Sequence, residues 1–144
     1  MSKQTKMIYR LVDIKQRAAD AAETAHVAAH HATLEAEAAL RRAIALWNAF
    51  IATTSDDVAT AADLQHRDLE HKWLRRSIED HERAALVART EEAAAREAMT
   101  TARIELRRYE TWLENTQELA RIEAKRVQRL ADDEVAARKR SVAV

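Results

Sequence analysis

His26 and His30 stand four residues apart, so on a helix both imidazoles share one face and can reach one cation, with Glu23 a turn earlier. The helical metalloprotease motif also needs a glutamate directly after its first histidine, and Val27 stands there instead. Solvent-facing histidines are the expected state. His31, His66, His71 and His81 add no ligand spacing, so no metal site is expected. Two carboxylate pairs, Glu114 with Glu118 and Asp132 with Asp133, could in principle divide acid and base roles. That division needs a water-excluding cleft to drive two pKa values apart, and the composition supplies little with which to build one. Cysteine is absent, which removes thiolate nucleophiles, thiolate zinc sites and disulfides. Glycine is absent too, and phosphate-cradling loops, dinucleotide fingerprints and nucleophile elbows all need it. The expectation is a protein with no catalytic activity and no cofactor.

The elements that must carry these residues follow from the same absences. An ordinary domain holds about 7% glycine and about 5% proline, and these supply its turns; this chain of 144 residues holds neither. Alanine fills roughly a fifth of the positions, and charged residues make up 33%. That is the composition of long helices. One interruption stands out, Thr53-Thr54-Ser55-Asp56-Asp57, whose side chains compete for backbone hydrogen bonds and favour helix caps. Thr54 with Asp57, or Thr60 with Asp63, has capping-box spacing. The fold expected is all-α, a long antiparallel two-helix coiled-coil hairpin forming a single domain. Its helix 1 runs over about 6–52, its turn over about 53–60 and its helix 2 over about 61–140. A later turn near Arg67–Lys72 and a parallel homodimer are the competing arrangements.

Aromatic residues are 4% of the chain, so the core is expected to be a thin seam. In helix 1 the seam is read as Leu11, Ile14 and Ala18, then Ala22 with Ala25, Ala29 with Ala32, Ala36 with Ala39, and Ala43 with Leu46 and Phe50. This register takes one extra four-residue step near Ala18. In helix 2 the alternation is clear from Met99 through Leu106, Tyr109 and Leu113, and is read onward through Gln117, Ala120, Ala124, Val127 and Ala131. Between about Glu79 and Arg96 the pattern blurs, and a bend or a docking surface is expected near Ala84–Ala88. Helix 1 would measure roughly 70 Å and helix 2 roughly 120 Å, so helix 2 must outrun its partner.

Net charge is zero, so nothing pulls the whole chain toward nucleic acid or anionic membrane. Lys125-Arg126 and Lys139-Arg140 are diluted by nearby acids, and no DNA-reading module accompanies them. No apolar run suits membrane insertion, and Met1–Arg10 lacks a secretory leader's apolar stretch, so a cytoplasmic protein is expected. Charge does vary along the chain. Residues 1–17 carry five basic side chains against one acidic, and 121–140 carry seven against four. Residues 53–80 carry four against seven, so a hairpin would have a basic open end and an acidic turn end.

The tail YETWLENTQELARIEAKRVQRLADDEVAARKR, Tyr109–Arg140, resembles the C-terminal helix of the type III secretion stalk proteins. That family comprises the flagellar export protein of the FliJ type and its injectisome counterparts of the YscO type. The likeness includes Asp133-Glu134-Val135-Ala136 followed by Arg138-Lys139-Arg140, with one residue more between Gln128 and Asp133 than the family's common spacing. Met7–Lys15 is similar to the family's basic-apolar opening, and Arg67–Leu74 to its middle segment. The resemblance implies a protein, monomeric by itself, similar in fold to the central stalk of rotary ATPases. It also implies binding to the hexameric export ATPase and to the cytoplasmic domain of the export gate, with handling of export chaperones. The basic pole, Arg10, Lys125, Arg126, Arg129 and Arg138, would then meet ATPase carboxylates. Leu46, Trp47, Phe50, Trp73, Leu74 and Ile78, near the turn, would form the gate or chaperone surface. Hairpin packing accounts equally well for Phe50 and one of the tryptophans. A generic coiled-coil scaffold or adaptor, possibly homodimeric, is the alternative.

Overall fold

The computed structural model describes residues 1–53 and 60–143. Two helices account for nearly all of them, α1 over Lys3–Thr53 and α2 over Ala61–Val142. They pair antiparallel: Lys15 of α1 meets Glu105 of α2, His30 meets Glu92, and Trp47 meets His71, so partner numbers fall as α1 numbers rise. The all-α two-helix hairpin read from the sequence is the observed architecture. The turn and the Thr54–Asp57 cap fall on residues 54–59, outside the described residues. Arg67–Lys72 is helical throughout, so the later turn is not taken.

Local chemistry sets the described helix ends. Ser2 caps α1: its Oγ accepts the Thr5 amide at 3.1 Å, and its carbonyl accepts from Lys6, so the helix opens three residues before the expected start. Thr60 caps α2 in the same way, with Asp63 N–H donating to Thr60 Oγ1 at 3.1 Å. Asp63 in the first turn and Lys139 with Arg140 in the last complement the helix dipole.

The chain packs as two compact units, Met1–Asp20 with Thr101–Val144, and Ala21–Thr100. In the second unit the least exposed α1 positions step by threes and fours through His26, Ala29, Thr33, Ala36, Leu40, Ala43, Trp47 and Phe50. Facing them, α2 buries Leu74, Ala85 and Ala88. Alanines on both sides let the helix axes close to the near end of the roughly 8–10 Å packing range. In the first unit Ile8 is fully buried and Ala19 nearly so, while Leu106, Tyr109 and Leu113 are among the half-buried residues of α2.

This register departs from the expected one. Positions 22, 29, 36, 43 and 50 lie on the seam as read, but Ile14, Ala18, Ala25, Ala32 and Leu46 are exposed. Lys15, Ala19, His26, Thr33 and Trp47 stand in their places. No extra step occurs near Ala18. The reading favoured apolar residues at every seam position, whereas the partner helix supplies polar groups that let a lysine and a threonine point inward. Through Ala84–Ala88 α2 is helical without a break. Ala85 and Ala88 turn inward, and Leu86 and Val87 are exposed beside them. Beyond Thr116 every described residue of α2 is exposed, so the expected continuation of the seam meets α1 only at Gln117, through Tyr9, and runs exposed through Ala120, Ala124, Val127 and Ala131.

Candidate interaction site

Polar groups bridge the helices where the alanine seam supplies little bulk. In the unit Ala21–Thr100, Thr33 is buried and its hydroxyl lies 3.1 Å from the Ala88 carbonyl on α2 and 3.1 Å from the Ala29 carbonyl on its own helix. A side chain reaches a backbone carbonyl of the neighbouring helix only because alanines bring the helices close. One turn away, His30 Nδ1 and Glu92 Oε1 are 2.7 Å apart, and Arg89 donates to Glu37 at 3.0 Å. The hydrogen bond from His30, then one from Thr33, hold the Glu92 carboxyl below its ordinary range. His26 lies in the same layer, its Nε2 buried with no partner among the described residues. The expectation of solvent-facing histidines therefore fails for His26 and holds for His30, which stays exposed while it pairs with Glu92. Among the described residues no three His, Cys, Asp or Glu side chains converge as a metal-holding group.

In the unit Met1–Asp20 with Thr101–Val144, Lys15 Nζ bonds Glu105 at 2.8 Å and sits 5.4 Å from the Tyr109 ring centre. The bond to Glu105 raises the Lys15 pKa, and the same bond lowers that of Glu105. Tyr9 accepts a 2.6 Å hydrogen bond from Gln117, the last described side-chain bridge before α2 continues without α1. Along that continuation Glu118 pairs with Arg121, Glu123 with Arg126, and Glu134 with Arg138, each acid a turn before its arginine. This order suits the helix dipole and stiffens a helix that no neighbour supports.

The anticipated basic group divides by partner. Arg126 and Arg138 are tied to Glu123 and Glu134 of their own helix. Arg10, Lys125 and Arg129 are exposed and pair with no carboxylate among the described residues. All five belong to the unit that contains both chain ends.

The six turn-end residues also divide. Leu74 is buried and Ile78 half-buried, so both serve the packing between helices. Trp47 is half-buried, its ring centre 4.7 Å from that of His71 and 6.3 Å from that of Phe50. Leu46 and Trp73 are the exposed members, 56% and 64% accessible, and with Phe50, Arg67 and Glu70 they line an open groove. His71 was weighed in the sequence only as a metal ligand, although it falls on the α2 face presented to Trp47. Thr33, Lys15 and Ile8 were also missed. A strict three-four alternation counted back from Phe50 with no added step reaches all three.

These surfaces are open, and the carboxylates that shift are held ionised rather than raised toward neutrality as a general acid would be. No helix among the described residues is long and apolar enough to cross a membrane. Comparison with protein-family models, with curated proteins and with solved structures finds no match to the chain.

Proposed function

We propose that this chain is a non-enzymatic stalk of a type III secretion system, flagellar or injectisome, which binds the hexameric export ATPase and links it to the export gate, with a possible part in chaperone handling. The observation that carries the reading is the asymmetry of the hairpin. α2 continues past its last bridge to α1 at Gln117 as a bare helix, and that helix bears Lys125, Arg126, Arg129 and Arg138. A single helix end studded with arginines suits insertion among the carboxylates of a ring, and the resemblance of Tyr109–Arg140 to the stalk family lies largely on the same length. The exposed pair Leu46 and Trp73 is the part of the turn-end surface open to a gate or chaperone partner.

A generic coiled-coil scaffold is the second reading, favoured by a seam built mainly from alanine, which many unrelated helix pairs could share. The deciding experiment adds the purified chain to the export ATPase of its own organism and follows binding, hexamer assembly and ATP turnover. Stimulated turnover that is lost when Lys125, Arg126 and Arg129 are changed to Glu supports the stalk. An active, assembling ATPase that neither binds the chain nor responds to it leaves the scaffold.

A further inference from the structure

The bare length of α2 repeats the pattern of the covered length. Continuing the three-four alternation from Leu113 and Thr116 places Ala120, Glu123, Val127, Leu130, Glu134 and Ala137 on the face that α1 covers farther back. Val127 and Leu130, more than half exposed, form its apolar centre. The last described side-chain bridge from α1, Tyr9 with Gln117, lies where this face begins. The open face is thus a direct continuation of an established helix–helix interface, and a helix with small and aliphatic seam residues is what fits it.

We propose that the occupant is the same length of a second copy of this chain, laid antiparallel, so that two bare helices complete each other's seam. In the register that sets Val127 of one copy against Leu130 of the other, Ala120 meets Ala137. Arg126, beside the seam, then lies alongside Asp133, and the two-fold axis repeats that match. Glu123 and Glu134 also fall on the seam, each already tied to an arginine of its own helix, which offsets their mutual repulsion. A parallel pairing sets Glu123 on Glu123 and Glu134 on Glu134. It also drives each copy's α1, which lies on this same face, into the other copy. The antiparallel partner meets α1 only with its last helical turn, since its residues 138–142 fall opposite 119–115. With two large aliphatic residues per copy the dimer is weak, monomeric when dilute and paired when concentrated. The pairing engages Arg126, so it competes with any carboxylate-bearing partner of that residue. It does not rest on the stalk reading, and its test uses the chain alone.

The test is sedimentation equilibrium of the full chain over about 10–500 µM, the range in which a weak helix pair dissociates. The mass is expected to double across this range. Leu130→Asp should weaken association on the order of a hundredfold, because each dimer loses two buried leucines, while helix content stays at the level of the parent. Arg126→Asp should weaken it too, and Asp133→Arg added to Arg126→Asp should restore it. Because the chain has no cysteine, orientation can be read directly. A mixture of Val127→Cys and Leu130→Cys proteins should form the mixed disulfide in preference to either homotypic one. A monomeric mass at every concentration overturns the proposal and leaves the face to a different protein. Preferential linkage of Val127→Cys to itself overturns it as well.

Discussion

Two lengths of α2 are built from nearly the same residues and end in opposite states. From Leu74 to Leu113 alanines, arginines and glutamates alternate, and Leu74, Ala85 and Ala88 are buried. From Gln117 to Val142 the same residue types alternate at the same period, and every side chain is exposed. The difference lies in what α1 covers. A heptad pattern states that a helix has a face to bury, while the reach of its partner decides whether that face is used. The covered length draws its strength from alanine contact and a few bridging polar groups. The bare length depends on its own Glu-to-Arg pairs.

The largest perturbation of this contrast should come from Ile8, the bulkiest fully buried side chain and the main cover for α2 in its unit. Ile8→Ala should cost about 2–4 kcal/mol, read from denaturant unfolding. Hydrogen exchange at Tyr109–Thr116 should then rise toward that of the bare length, because the uncovered segment has in effect been extended. Unchanged exchange there would mean that cover by α1 does not set the boundary.

Enlarging an alanine tests the other side. Ala85→Leu puts three more carbons into a site that is 1% exposed and should destabilise by about 1–3 kcal/mol. Ala124→Leu, the same change on the bare length, should leave the thermal midpoint within about 0.5 kcal/mol of the parent. If the two substitutions matched, the distinction between covered and bare alanines would fall.

Thr33→Val keeps the shape of the residue and removes the bond to the Ala88 carbonyl. The expected loss is about 1 kcal/mol, measured by thermal unfolding, with helix content unchanged in the folded state.

The smallest effects concern pH. Glu92, Glu118 and Glu123 are held below their ordinary 4.5 by partners present only in the folded chain. Their contribution is complete above that value and fades as pH falls through the lower folded values. Acidification should therefore loosen the bare length, where Glu118 and Glu123 work without tertiary support, before it opens the covered seam. Residue-resolved helix content followed by NMR through the acid range checks the order. Glu92→Gln should flatten the acid dependence of the seam while leaving that of the bare length as it was.

The hairpin was legible because its signals are local. Thr53 through Thr60 gather the residues that favour caps, and Thr60 does cap α2. The site was legible only in part. Lys125 and Arg129 are as exposed as their charge suggests, and Leu46 and Trp73 are open. Leu74 looked like half of a surface pair and is buried, because its face of α2 turns toward α1. Thr33 escaped notice because a seam counted through apolar residues passes it over for Ala32, and Ile8 because that count begins at Leu11.

By itself, then, the sequence determined that the chain is helical, where it breaks and how charge is spread along it. Those properties depend on backbone propensity and side-chain type within a few residues, and a chain without glycine or proline has few other conformations open to it. Tertiary structure alone decided which face of each helix meets the other. With alanine on several faces, neighbouring registers differ little in buried apolar area. The choice passes to pairings remote in sequence, Lys15 with Glu105, His30 with Glu92 and Thr33 with Ala88. It also decided where cover stops. The end of α1 fixes which residues of α2 stay bare, and no local pattern within α2 encodes that limit.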